Sequence, residues 1–266
     1  MIYHLATFFN FLTFINVFSI LQPVSAIACG KPMSWNGGQG TYDEEQVTDQ
    51  LTLYNNVWGA DSTAAGSSQT VQCLSNKGSS VSWTTSFDFI SKDSSLDYQV
   101  KSYSNLGWAG KPIQISTLQS FHIDWNWSMS EESSDLTTNV SLDIFTSTDG
   151  ACSGQSGQCA THEIMVWLVA KGGARPAGSS TQKTVSVANY AFEIFKGSVG
   201  GIPVISLFPE GGKSYTSFSA DLIHLLQIEL CQFGVSPDEY IVTVGSGCEP
   251  YKGVGTLHST YSLSIA

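Results

Sequence analysis

The chain has 266 residues, with 22 acidic against 11 basic side chains and a formal net charge of −11. Only 12% of its residues are charged, and a surface of this sign repels nucleic acid and anionic membranes. It suits a neutral polymer, or simply solubility in an acidic medium.

Residues 1–26 read as a cleavable secretion signal. Apolar residues dominate from Leu5 to Leu21, Pro23 breaks the run, and Val24-Ser25-Ala26 forms a small-residue cleavage pattern. The segment lacks the usual Lys or Arg, while Asn10 and Asn16 make it a poor membrane span. Residues 27–266 contain neither a Pro/Ser/Thr linker nor a repeat, so one domain is expected. That length buries roughly 70–75% of the surface exposed when unfolded, enough for a sizeable core.

The six cysteines, Cys29, Cys73, Cys152, Cys159, Cys231 and Cys248, have no C-x-x-C spacing, so a zinc or redox motif is not indicated. A secreted context favours disulfides. Cys152 and Cys159 bracket the flexible SGQSGQ segment, and Cys29–Cys73 would clamp the N-terminal strand. Cys231 and Cys248 pair only by elimination. Sequons stand at Asn126 and Asn139.

Along the chain, short runs of apolar alternation lie between Gly, Ser and Asn clusters. Strands are expected at Gln50–Trp58, Val81–Ile90 and Val100–Tyr103. In the next run Phe121, Ile123, Trp125 and Trp127 alternate with polar residues. Further strands are expected at Asn139–Thr146, Glu163–Val169, Lys183–Val187, Ala191–Lys196, Pro203–Phe208 and Tyr240–Gly245, and the alternation resumes over Leu257–Ile265. Period two over many short runs predicts an all-β antiparallel sandwich. One segment differs: Phe218, Leu222, Leu225, Leu226 and Leu230 follow helical spacing, which predicts one amphipathic helix over Ser217–Leu230 on the outer face of a sheet.

Three acids stand out. In the strand from Glu163 to Leu168, Glu163, Met165 and Trp167 share one face, and His162, Ile164, Val166 and Leu168 the other. A carboxylate in line with Met and Trp fits a sugar groove, and it also fits an edge glutamate beside buried aromatics. Glu249 lies in GCEPYKG, where Pro250 offers no N–H to the ladder and nearby glycines leave room for a ligand; a plain turn residue reads the same way. Asp143 sits inside a strand between aliphatic Leu142 and Ile144, facing away from them, and needs a partner.

At these residues the chain resembles glycoside hydrolase family 12. HEIMVWL is similar to the family's nucleophile strand E-[LI]-M-[IV]-W-L, and GCEPYKG to its acid/base segment G-T-E-P-F-x-G. YNNVWG, VKSYSN, SLDIF, the Gly172-Gly173-x-x-Pro176 turn and FSADL follow in family order and span nearly all of residues 27–266. The resemblance implies a concave two-sheet β-jelly roll with one helix, and a secreted endo-β-1,4-glucanase acting on cellulose, mixed-linkage glucan or xyloglucan with retention. It implies Glu163 as nucleophile, Glu249 as general acid/base, and Asp143 as the third acid, hydrogen-bonded to the nucleophile. Trp35, Asn56, Trp58, Met165 and Pro176 match residues that line the cleft. No metal or organic cofactor is implied, and the expected partner is plant cell-wall β-glucan met by a monomer.

Cys248 departs from the family's usual Thr. Geometry along a helix and a following strand would separate it from Cys231, so two buried free thiols are expected there. Asn139 shares parity with Asp143 and would carry a glycan toward the cleft, which leaves Asn126 as the glycosylation site. Lys171 and Arg175 place two scarce cations by the cleft turn, either for the glucan or for local acids. A non-catalytic wall-binding decoy should have lost one carboxylate, and a related β-1,4-xylanase differs in the motifs around the glutamates.

Overall fold

The computed structural model describes residues 27–108, 110–152 and 159–266. The expected signal at residues 1–26 lies outside them. In chain order the strands are β1 (Met33–Trp35), β2 (Glu44–Gln46), β3 (Leu51–Tyr54), β4 (Ser68–Asn76), β5 (Val81–Phe89), β6 (Ser104–Trp108), β7 (Ile113–Gln114) and β8 (Phe121–Ser130). They continue as β9 (Thr137–Ser147), β10 (His162–Lys171), β11 (Ser179–Val187), β12 (Tyr190–Val199), β13 (Ile202–Pro209), β14 (Ser217–Asp221) and β15 (Tyr240–Ile265), with a short helix, α1 (Ile223–Gln227), before the last.

These strands form the expected sandwich, antiparallel except that β10 pairs parallel with β13, and β15 belongs to both layers. Its first half pairs with β6 and β9, extending a sheet ordered β2-β3-β6-β15-β9-β10-β13-β12-β11. Its second half pairs with β5 and β8 in a sheet ordered β1-β4-β5-β15-β8-β14. The passage between sheets falls where the register shifts at Pro250/Lys252 and Gly253 takes φ +88°. Glycine is required there, because a Cβ would lie 2.7 Å from Ser133 Oγ in a left-handed backbone. Pro250 does not end the strand; it sits at this bulge, where a missing N–H is tolerated.

Between the sheets lies one continuous apolar core. Alternation supplies it: Leu142 and Ile144 of β9, Ile164, Val166 and Leu168 of β10, and Val244 and Cys248 of β15 point inward from one layer. Val81, Trp83, Phe87 and Phe89 of β5 and Ile123 and Trp125 of β8 point inward from the other. Trp83 stacks on Trp125 at 6.4 Å, and Tyr261 meets both edge-on. Such aromatic pairs add about 0.5–1.5 kcal/mol each beyond their burial.

The helix over Ser217–Leu230 is corrected. Its first part is β14, paired with β8 in the register Ser217↔Asn126 to Asp221↔His122, with Phe218 and Ala220 inward. Phe218 and Leu222 therefore share helical spacing without sharing a helix. The α-helix spans only Ile223–Gln227; Asp221 Oδ1 accepts from the Ile223 N–H at 2.9 Å at its start. A 3₁₀ turn, Glu229–Phe233, follows, and Gly234 (φ +110°) ends it. Gln227 Nε2 donates to the carbonyls of Ile115 and Leu118, which ties the helix to the 3₁₀ turn Ile115–Thr117, while Leu225 and Leu226 enter the core. Val100–Tyr103 is not a strand either. Its N–H groups bond singly, Lys101 to Pro250 O and Tyr103 to Asn56 O, and the strand β6 begins at Ser104.

Cys29–Cys73 and Cys152–Cys159 form disulfides, and Cys231 and Cys248 are free. Cys248 is buried as expected; Cys231 is exposed, since the 3₁₀ turn carries it outward. Asn126 is exposed and Asn139 fully buried.

Candidate active site

The face of β9, β10 and β15 turned away from the core forms the floor of a cleft of about 770 Å³. Strand parity decides what stands there. On β10, Glu163, Met165 and Trp167 point into the cleft, as expected. Asp143 and Phe145 come from β9, and Thr243, Gly245, Glu249 and Tyr251 from β15. The ladders pair Met165 with Asp143 and Asp143 with Gly245, so the three acids sit on three neighbouring strands. All three line one cleft, although 106 positions separate Asp143 from Glu249 in the chain.

Burial governs their electrostatics. Desolvation, then the charge of Glu249, pushes Glu163 up to about 7. Desolvation also pushes Glu249 up to about 7, against a lowering hydrogen bond from Asn139. Asp143 is raised well above the usual carboxylate range by desolvation and by both glutamates. Its Oδ1 is buried without a hydrogen-bond partner among the described residues, so the expected bond to Glu163 is not formed through that atom. Three neighbouring carboxyls, each raised by burial, hold protons jointly near neutrality.

Glu249 and the strand that carries Glu163 are braced from behind. Asn139 Nδ2 donates to Glu249 Oε2 at 2.5 Å, and the Glu249 N–H donates to Asn139 Oδ1 at 3.1 Å. Behind Glu163, on the core side, buried Glu239 accepts from Thr146 Oγ1 at 2.5 Å, from His162 Nδ1 at 3.0 Å and from the Ser236 N–H at 2.9 Å. That ties the start of β10 to β9 and to the segment entering β15. Neither support was found from sequence. Asn139 carried the signal in its shared parity with Asp143, whereas Glu239 lies in a turn with no pattern.

The walls bear the expected Asn56, Trp58 and Met165. Asn56 takes φ +42°, a conformation Asn tolerates better than most residues. Its segment is fixed by Gln69, whose Nε2 donates to Asn55 Oδ1 at 2.8 Å and whose Oε1 accepts from Ser102 Oγ at 2.6 Å. Trp58 is left 45% exposed, and Tyr42 and Tyr98 add exposed aromatic rings, surfaces on which apolar sugar faces stack. Tyr98 rides on a loop gripped by buried Lys101, whose Nζ donates to the carbonyls of Leu96 (2.6 Å) and Gln99 (2.9 Å).

Two expected wall residues are elsewhere. Trp35 lies in the core, 5% exposed against Phe89, with its indole N–H on Gln39 O. Pro176 is buried beside the cleft, while its neighbours Arg175 and Ala177 line it. Lys171 pairs with Glu132 at 2.7 Å and serves local balance, whereas Arg175 stands in the cleft with its guanidinium 5.1 Å from the Phe208 ring centre. Among the described residues no group of three His, Cys, Asp or Glu side chains is arranged for a metal ion.

Comparison with known proteins bears on this arrangement. The sequence profile of glycosyl hydrolase family 12 matches residues 49–266. The xyloglucan-specific endo-β-1,4-glucanase A of Emericella nidulans is 35% identical over 221 residues, 80% of this chain and 85% of that protein. The xyloglucan-specific endo-β-1,4-glucanase 1 of Phytophthora nicotianae is 32% identical over 230 residues, covering 85% and 90%. In fold, the catalytic domain of Humicola grisea Cel12A superimposes with a TM-score of 0.74 at 21% identity over 88% of this chain and 99% of that one. A family 12 xyloglucanase from Bacillus licheniformis gives 0.69 at 21% identity over 89% and 100%.

Proposed function

The chain belongs to glycosyl hydrolase family 12, and on that premise we propose that it is a secreted xyloglucan-directed endo-β-1,4-glucanase with Glu163 as nucleophile and Glu249 as general acid/base. Its reaction is retaining hydrolysis of internal β-1,4-glucosidic bonds. The observation that carries the residue assignment is the meeting of Glu163, Asp143 and Glu249 on one cleft floor.

Glu249, held protonated near neutral pH by burial, gives its proton to the leaving glycosidic oxygen while a Glu163 oxygen attacks the anomeric carbon. A covalent glycosyl-enzyme forms, and the chain beyond the cut leaves with its new hydroxyl. Glu249, now a carboxylate, takes a proton from water, whose oxygen attacks the anomeric carbon from the face the leaving group vacated and displaces Glu163 on the opposite side. Burial and the two neighbouring glutamates push Asp143 toward its protonated form. Kept neutral, it adds no negative charge beside Glu163, which supports the division of roles. A decoy has no use for this arrangement, since both carboxylates are retained.

Xyloglucan is the substrate because the relatives named above carry that specificity. The enzyme works as a monomer, with Asn126 as its glycan acceptor. The test is reducing-end release from tamarind xyloglucan, barley β-glucan and carboxymethylcellulose. Release from xyloglucan at least tenfold faster than from the others is expected; equal rates on all three would refute the preference.

A further inference from the structure

The chain contains a single arginine, Arg175, and it stands exposed in the cleft. Its guanidinium lies over the ring of Phe208, 5.1 Å from the centroid. Phe208 is itself buried, with Trp167 at 5.9 Å and Phe195 at 5.5 Å. One flat face of the fork therefore rests on a fixed aromatic floor, and its edge is left to meet a ligand. Lys171, the cation at the start of the same turn, is committed to Glu132. Among the described residues no carboxylate pairs with Arg175. Nor is it the counter-charge of the acids: burial, one another and Asn139 are what act on Glu163, Asp143 and Glu249.

The topology places this side chain at one end of the cleft. Lining residues come from five strands in a row: Asn105 of β6, Glu249 of β15, Asp143 of β9, Glu163 of β10 and Val204 of β13. The cleft thus runs across the strands for roughly 19 Å, four interstrand steps of about 4.8 Å. The acids stand in the middle. Trp58 stands at the β6 end, on a segment tied to the approach to β6 by Gly59 N–H to Lys101 O and Tyr103 N–H to Asn56 O. Arg175 stands at the β13 end, beside Phe208, with Val199 54% exposed and also lining the cleft. A polymer lying across the acids therefore meets the Trp58 ring on one side and the Arg175 fork on the other. A guanidinium only donates, and its edge can serve two acceptors at once, such as neighbouring hydroxyl oxygens of a sugar. The net charge of −11 disfavours an anionic polymer, so the fitting ligand is neutral. We propose that Arg175 is a specificity-determining residue that holds a neutral glycosyl unit at the β13 end of the cleft, away from the bond cut, by hydrogen bonds to its hydroxyls. This rests on the glucanase reading of the same cleft.

The experiment uses the full-length mature enzyme on tamarind xyloglucan, barley β-glucan and carboxymethylcellulose. Cleavage of none of them by the wild type would overturn the glucanase reading itself. Given cleavage, reducing-end-labelled oligosaccharides of the neutral glucan cut best report, by product length, the relative rates at competing bonds. Arg175→Met keeps an apolar stem over Phe208 and removes the donors. It should raise KM for that glucan about fivefold with kcat changed less than about twofold, and should shift the ratio of competing cleavages by a similar factor. The ratio is internal to one sample, so partial misfolding would slow every bond alike and leave it unchanged. Arg175→Lys keeps the charge without the fork and should recover little of either effect. An unchanged ratio and KM in Arg175→Met would overturn the proposal. Full recovery in Arg175→Lys, or a loss confined to carboxymethylcellulose, would make Arg175 an anion site and overturn it equally.

Discussion

Asn139 and Glu249 hold each other by two hydrogen bonds, Asn139 Nδ2 to Glu249 Oε2 at 2.5 Å and Glu249 N–H to Asn139 Oδ1 at 3.1 Å. The first bond favours the ionised carboxyl and opposes the burial that raises Glu249 to about 7. Asn139→Ala removes that opposition. The alkaline limb of kcat/KM should therefore move to higher pH, and the misplaced acid should cost roughly 10–100-fold in kcat, the value of about 1.5–3 kcal/mol for a bond to a charged group. A pH–rate profile checks both. A limb moved toward acid would contradict the role given to Asn139.

The raised carboxyls also make stability depend on pH. Glu163 and Glu249 have folded-state values near 7 against an ordinary 4.5. The folded protein thus holds protons that the unfolded chain releases. Their full stability is present below about 4.5 and is lost as pH rises through 7. Glu163→Gln and Glu249→Gln should each lose at least about a thousandfold in activity. At pH 8 each should melt several degrees above wild type, within an upper bound of about 3 kcal/mol. At pH 4 the difference should vanish. Melting curves at the two pH values decide it, and a variant less stable at pH 8 would count against buried, uncompensated carboxyls.

How far the sequence carried can be judged at particular residues. The parity of Glu163, Met165 and Trp167, with Ile164, Val166 and Leu168 opposite, was legible because a strand has a strict period of two. The motifs in GCEPYKG and HEIMVWL brought Glu249 to the same cleft. The length of α1 was not legible: Phe218 and Leu222 have helical spacing, yet pairing with β8 decides that Ser217–Asp221 is a strand. Trp35 failed for a similar reason, since an aromatic near a motif does not reveal which face of a sheet it joins. Glu239 acts through Thr146 and His162, distant in the chain, and no local pattern announces such contacts.

Lys101 is fully buried, and its ammonium is spent on the Leu96 and Gln99 carbonyls. Those bonds shape the loop that presents Tyr98 to the cleft. Lys101→Met keeps the stem and removes the donors. It should destabilise the fold by about 1 kcal/mol, because two hydrogen bonds to part-buried carbonyls are lost. It should also raise KM several-fold with a smaller change in kcat, because Tyr98 touches the polymer and not the reacting atoms. Denaturant melts and Michaelis kinetics separate the two effects. A kcat loss at unchanged KM would place Lys101 in a different role.

The two free cysteines differ in a way a thiol titration can read. Cys231 is exposed at the 3₁₀ turn after α1, with its Sγ 3.2 Å from Gln227 O. Cys248 is buried in the core one residue before Glu249, and burial with that neighbouring charge pushes its thiol well above the usual range. The thiolate is the reactive form, so Cys248 must wait for the strand to open. Native protein should therefore titrate one thiol quickly and a second only in denaturant, while Cys231→Ser should abolish the fast phase alone. No thiol in either state would mean that Cys231 and Cys248 are bridged. Cys248→Thr restores the residue of the related motif GTEP and should leave the two glutamates active, because position 248 faces the core and never the sugar.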